Sequence, residues 1–393
     1  MNFVYISPAF PKNFYNFCDR LKERGVTVLA IGDTPYDQLT DELKNSIDDY
    51  YQVYNMENYD EMVRAMGYFI FNYGHIDWLE SNNEYWLEQD ARLRTDFNIT
   101  TGIHTNHIED IKCKSKMKKF YEEAGVKTAR YHLVTNLKEG LAFIKEVGYP
   151  VVVKPDNGVG AAKTYKISNQ EELEAFYLEE HPTQYIMEEF VNGLIISYDG
   201  IANLDKDILF ETSHVFPNPI MDVVNDASSM YYYSLKELPY DLKQAGQACV
   251  KAFYTAGRCF HMEFFRLLED KKGLGKKGDI VGLEVNLRTP GGYTPDMMNY
   301  ANEIDVYSIY ADMVTKGYSE YDHHRPYHCV YCGRRDHVLY KHTHNEITTK
   351  YQFDLVMCER MPDILSGAMG NFTYTARFET MDEVNAFVDY VLG

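Results

Sequence analysis

The sequence predicts an α/β and α+β protein, with a doubly wound parallel sheet at the N-terminus followed by a larger mixed body. Three observations predict it. Short apolar runs alternate with amphipathic segments over the first hundred residues, a pattern that implies parallel strands with covering helices. A strand, a glycine-rich loop and a second strand follow at 149–167, YPVVVKPDNGVGAAKTYKI. A long, mainly β region then runs from about 185 to a strand at 278–292 whose polar residues occupy every second place.

The elements follow in order. FVYIS (3–7) reads as a strand, Lys12 to Glu23 as a helix closed by Gly25, and VTVLAIG (26–32) as a second strand. YYQVY (50–54), a helix from Tyr59 to Tyr73, and IDWLES (76–81) continue the alternation. The basic helix KSKMKKFYEEAG (114–125) ends at Gly125, where a left-handed C-cap suits glycine. YHLV (131–134) is a strand, and Asn136 caps a helix running to Gly148. Ser168 with Glu171 reads as a capping box for the next helix, and YIMEEFV (185–191) as the strand beyond it. Thr294-Pro295 opens one helix, Asp305 to Gly317 spans another, and a last one lies near Met381 to Leu392.

Composition narrows the function classes. A chain of 393 residues is long enough for more than one domain. Its 39 basic and 59 acidic residues leave a net charge of -20, which disfavours a nucleic-acid partner. No apolar run is long enough to span a membrane, and MNFVYISPAF lacks the basic lead of a signal peptide. Seven scattered cysteines suggest reduced thiols and a cytoplasmic location. The first strand turns through SPAFPKN, with no dinucleotide-binding glycines, and the later loop fails as a Walker A motif because Ala162 precedes Lys163. Gly158 and Gly160 remain as places where backbone can approach a ligand closely, with Lys154 at the loop's mouth.

The strand LEVNLR (283–288) places Glu284, Asn286 and Arg288 on one face of an otherwise apolar segment, and HMEFF (261–265) offers a second carboxylate, Glu263. Two carboxylates and an amide on neighbouring strands suit magnesium shared with phosphates. With Lys114 on the basic helix, Lys154 before the glycine hairpin and the segment MEEFVNG (187–193), these pieces occur in an order that resembles the ATP-grasp superfamily of carboxylate–amine ligases.

The resemblance implies a preATP-grasp domain over 1–110, a first ATP-grasp lobe over 111–186 and a second over 187–393. It implies that Lys114, Lys154, Gly158 and Gly160 hold ATP, that Glu188 approaches the adenine amino group, and that the backbone of Glu189 and Val191 reads the ring edge. It assigns magnesium, with manganese as the alternative, to Glu263, Glu284 and Asn286, and catalysis to Arg288 and Asn286. The chemistry implied is activation of a small carboxylic acid as an acyl phosphate and capture by an amine, with a homodimer as an allowed assembly. Bicarbonate activation, as in carboxylases or carbamoyl-phosphate synthase, and a non-catalytic ATP-binding regulator are the alternatives.

Two departures from the family stand out. Cys113 occupies the place of the usual aspartate before the first lysine. Leu194, Ile195 and Ile196 occupy the place of the ribose-binding glutamate, leaving Asp199 or His214 as substitutes. Elsewhere, the C-x2-C of HCVYCGRRDH (328–337) is expected to be two packed cysteines rather than a zinc site. Arg92 and Arg94 are expected on a solvated face or at a domain contact, and Tyr231 to Tyr233 in a buried or interface strand.

Overall fold

The computed structural model describes residues 1–158, 164–217 and 228–393. In the first sheet, β1 (Asn2–Ile6), β2 (Thr27–Gly32), β3 (Asp49–Gln52) and β4 (Trp78–Glu80) pair in the order β3-β2-β1-β4, and every pairing is parallel. The covering helix Tyr59–Tyr73 is capped by Asn58 and buries Met62, Ala65, Met66 and Phe69, the three-and-four spacing of a single packed face. In parallel sheets of this kind the loops after the strands' C-terminal ends are where ligands gather. Here those loops lead to Asn13 and Glu84, which reach Gly292 and Arg288 in the segment that follows the strand at 280–286.

The second sheet is antiparallel, with β5 (Tyr131–Leu133), β6 (Val151–Pro155), β7 (Tyr165–Ile167) and β8 (Tyr185–Glu189) in the order β5-β8-β6-β7. Helices Leu137–Val147 and Gln170–Leu178 bury Phe143, Ile144, Leu173 and Phe176 in its core. Asn136 caps the first of these helices, as expected. The second starts one residue later than expected. Asn169, not Ser168, is its cap and accepts from the Glu172 N–H, while the Glu172 carboxylate reaches back to the Ser168 N–H. The central strand β8 spans the expected lobe boundary at 186/187, so the change of sheet falls after Glu189.

Among the described residues the third sheet has nine antiparallel strands. They are β9 (Gly193–Ala202), β10 (Ile208–Thr212), β11 (His214–Phe216), β12 (Met230–Ser234), β13 (Arg258–Leu267), β14 (Ile280–Asn286), β15 (His328–Arg334), β16 (Leu355–Arg360) and β17 (Phe372–Phe378). Their order is β14-β13-β9-β11-β12-β15-β17-β16, with β10 also on β9. The C-terminal strands therefore extend the same sheet that carries HMEFF and LEVNLR. Helices Thr294–Asn302, Val306–Lys316 and Met381–Leu392 lie close to their expected bounds, and Gly317 closes the second with φ +79°.

The first and third sheets are joined by a shared core. Phe17 packs edge-on against Tyr307 and Tyr310, with ring centroids 4.8 and 5.1 Å apart. Below it, the Glu80 carboxylate lies 3.0 Å from the Arg94 guanidinium and 3.3 Å from that of Arg258 on β13, all three fully buried. Arg94 is thus buried behind the Glu80–Arg258 contact between the two parts rather than solvated, while Arg92 stacks 3.5 Å over the Tyr59 ring. Cys329 and Cys332 are buried in separate cores on β15, and Tyr232 is buried between β11 and β15. No helix among the described residues is long and apolar enough to cross a membrane.

Candidate active site

The helix Lys114–Glu123 positions the cations of the site. Its N-terminus has no side-chain cap of its own, since Cys113 stands at the capping place. Asp156, at the end of β6, supplies the missing acceptor from across the cleft. Its carboxylate takes the Ser115 N–H and hydroxyl, each at 2.8 Å, and its carbonyl takes the Lys114 N–H at 2.9 Å. An acidic group at a helix N-terminus is favoured by the helix dipole as well as by the hydrogen bonds. Asp156 thereby offsets the departure at Cys113 and fixes Lys114 relative to the hairpin lobe.

Lys114 is buried, with its ammonium 3.6 Å from the Glu284 carboxylate and 3.4 Å from the Gly158 carbonyl it donates to. Lys154 points into the same cleft from β6, 2.7 Å from Glu188. Burial works against its charge, but Glu188, Glu284 and Glu263 more than offset this and raise its pKa above the ordinary lysine value. Gly158 is tight against Pro155, where a Cβ would lie 3.2 Å from the proline ring. Gly160 lies outside the described residues.

A third lysine was not singled out from the sequence. Lys118 lies one helical turn beyond Lys114, and its ammonium sits 2.5 Å from the second Glu188 oxygen while donating to the Ala129 carbonyl. Burial opposes ionisation of Glu188, yet Lys118 and Lys154 together hold its pKa down at about 2. Alternation along β8 sends the next side chain the other way, and Glu189 forms a bidentate pair with Arg130. The Glu189 N–H is also taken, by the Arg130 carbonyl, so only its carbonyl is left to face a ring edge. The Val191 N–H meets no acceptor among the described residues.

The two carboxylates expected to hold metal are cross-strand partners, Glu263 on β13 directly opposite Glu284 on β14. Like charges placed opposite one another destabilise a sheet, so the pair is not a folding device. The register breaks just beyond them, where Phe264 pairs with Gly282 and Leu283 becomes the extra residue of a bulge. Asn286 lies opposite His261 and is buried. Among the described residues no group of three or more His, Cys, Asp or Glu is arranged to hold a metal ion. Two hard carboxylates and an amide oxygen fit magnesium that takes its remaining ligands from phosphates and water.

Beyond the end of β14, the Arg288 guanidinium turns to Glu84, 2.6 Å away, and to the Thr289 carbonyl. Glu84 is half-buried, but Arg288, Lys112 and Lys114 keep its pKa below the usual carboxylate range. The two residues expected to replace the ribose-binding glutamate are not available for that role. Asp199 and His214 are fully buried and bonded to each other at 2.7 Å, and Asp199 also takes Ser197 and His261 at 2.5 Å each. His261 in turn reaches Glu263, 3.3 Å from its other ring nitrogen. These groups face one another inside the large sheet because β9, β11 and β13 are adjacent in it.

Residues 112–210 match the family described as phosphoribosylglycinamide synthetase, ATP-grasp (A) domain. A segment of 83 residues, 20% of the chain, is 31% identical to 28% of D-alanine–D-alanine ligase B from Clostridium perfringens. A segment of 100 residues, 24% of the chain, is 35% identical to 22% of phosphoribosylamine–glycine ligase from Helicobacter pylori. The matched segments thus span less than a third of either relative's own length. In structure, the chain superposes on L-amino acid ligase from Bacillus licheniformis with a TM-score of 0.72 at 15% identity, covering 98% of this chain and 95% of that one.

Proposed function

We propose that this chain, an ATP-grasp protein by its fold, is an ATP-dependent ligase that activates a carboxylate and couples it to an amine. The observation that carries the reading is the convergence of Lys114, Lys154, Glu263 and Glu284 on one cleft, with Lys114 3.6 Å from Glu284. In a protein of net charge -20, these lysines are cations placed where a polyphosphate needs them.

In this reading Lys114 and Lys154 neutralise the ATP phosphates. The Glu188 carboxylate accepts from the adenine amino group, and the Val191 N–H donates to the ring edge. Glu263, Glu284 and Asn286 would hold magnesium, which would supply positive charge to offset that of the phosphates during phosphoryl transfer. The acid's carboxylate oxygen attacks the γ-phosphorus, giving an acyl phosphate and ADP. The amine then attacks the acyl carbon, and phosphate leaves with the former carboxylate oxygen. Arg288 is suited to hold the acid and its developing oxyanion, releasing Glu84 as it does so. No side chain needs to act as a covalent nucleophile. An amino acid as the acid, the dipeptide-forming kind of ligase, is the finer reading we favour.

The test is phosphate release from Mg-ATP with pooled carboxylic acids, with pooled amines, and with both. Release that needs both pools supports the ligase. Release with bicarbonate alone, or ATP binding with no release under any condition, would overturn it in favour of a carboxylase-like enzyme or a regulator.

A further inference from the structure

The helix that carries Lys114 also touches the backbone beneath the metal carboxylates. Tyr121, two turns along from Lys114, is fully buried, and its hydroxyl lies 3.1 Å from the Glu263 carbonyl and 3.0 Å from the Glu284 carbonyl. One O–H is thus shared between the main chains of two strands, at the pair of residues that carry the opposed carboxylates. The contact lies beside the bulge, where Leu283 is unpaired and the ladder between β13 and β14 is locally disrupted. The ring fits because residue 282 is glycine: a Cβ there would lie 2.5 Å from the Tyr121 ring. Phe253 and Phe264 hold the ring edge-on at 5.3 and 5.9 Å, so its orientation is set by packing before the hydroxyl makes either bond.

We propose that Tyr121 is a positioning residue for the metal pair: its hydroxyl, admitted by Gly282, fixes the backbones of Glu263 and Glu284 at the separation that lets both carboxylates hold one cation cluster. This rests on the metal reading of Glu263 and Glu284 given above. It adds that the lysine helix and the metal strands are aligned through one buried hydroxyl, so that phosphate-binding and metal-binding groups keep register with one another. Partners that orient ligands from behind are worth on the order of 10- to 100-fold in metal affinity.

Tyr121→Phe keeps the ring and removes only the hydroxyl. The probe is Mn2+ binding in the presence of a non-hydrolysable ATP analogue, followed by electron paramagnetic resonance, beside metal-free binding of the same analogue. Y121F is expected to weaken Mn2+ about tenfold and to leave metal-free nucleotide binding within about twofold. In kinetics the half-saturating Mg2+ concentration rises while KM for the acid stays unchanged, a split that a general loss of structure would not give. Gly282→Ala, which pushes the ring away with its hydroxyl still present, is expected to do the same, and it supplies the readout should Y121F fail to fold. Wild-type Mn2+ affinity in the folded variant, or an equal loss of metal-free nucleotide binding, would overturn the proposal. Glu284→Gln is the control. If it loses Mn2+ while Y121F does not, the positioning role fails alone; if it too binds Mn2+ normally, the metal reading itself fails.

Discussion

Glu188 and Glu284 show how single residues in this cleft are set by their neighbours. Glu188 is buried between two ammonium groups and titrates at about 2, below the ordinary glutamate value of about 4.3. A lowered carboxylate pKa stabilises the fold above the unfolded value and is lost as pH falls through the folded one. Glu188→Gln should therefore be less stable than the parent at pH 7, with the difference shrinking between pH 4.5 and 2; urea midpoints across that range check it, and a gap that stays constant would contradict the ion-pair account. Glu284→Gln keeps the size of the side chain and removes the charge next to Lys114. It should cut phosphate release by about 10²- to 10³-fold, the equivalent of several kcal/mol of lost charge stabilisation, with an unchanged circular dichroism spectrum. Much at this scale was legible, because Lys114, Lys154, Glu263 and Glu284 each lie in a short local motif. Lys118 could have been found from its i+4 spacing to Lys114. Glu84 could not, since 204 residues separate it from Arg288 and nothing nearby marks it. The polar residues Asp199 and His214 misled for a related reason: they bond to each other and to His261 across strands whose pairing the sequence does not show.

At the level of elements, the N-terminus of the lysine helix is held by Asp156 rather than by its own capping residue. Asp156→Ala should cost about 0.5–2 kcal/mol, the ordinary worth of such a cap, and should also raise KM for ATP several-fold because Lys114 loses its anchor. An unchanged KM for ATP would show that the anchor matters for stability alone. Helix ends were readable where one residue type had no competitor, as with Asp305 and Gly317. The helix at Gln170–Leu178 was misplaced by one residue because Ser168 and Asn169 are both capping types and Glu171 and Glu172 both acidic. The bulge at Leu283 left no such trace, since an extra residue in a strand looks like any other apolar residue until its partner strand is known.

In the whole molecule, the N-terminal sheet is fastened to the third sheet through the buried Glu80–Arg94–Arg258 cluster and the Phe17 contact with Tyr307 and Tyr310. Removing one partner of a buried ion pair leaves the others uncompensated, typically at a cost of about 3–5 kcal/mol. Glu80→Gln should lower the urea midpoint accordingly without changing the slope of the transition, and a loss under about 1 kcal/mol would show that the cluster does not cement the two parts. The order of parts along the chain was visible from alternation and motif order, and the chain shares its fold with L-amino acid ligase from Bacillus licheniformis over 98% of its length. What the sequence does not display is which loops meet: Glu84 and Asn13, from the first sheet, reach Arg288 and Asp296 at the exit of β14. In the proposed function, those meetings form the place where the acid binds.

The central claim is that an acid is activated through an acyl phosphate, and oxygen transfer tests it most directly. The acid that supports turnover is supplied with both carboxylate oxygens as 18O, in unlabelled water with unlabelled ATP and the amine. The account predicts one 18O atom in each phosphate released and one in the amide product. Phosphate free of 18O, with the second label retained in unreacted acid, released into water or recovered in AMP, would contradict it.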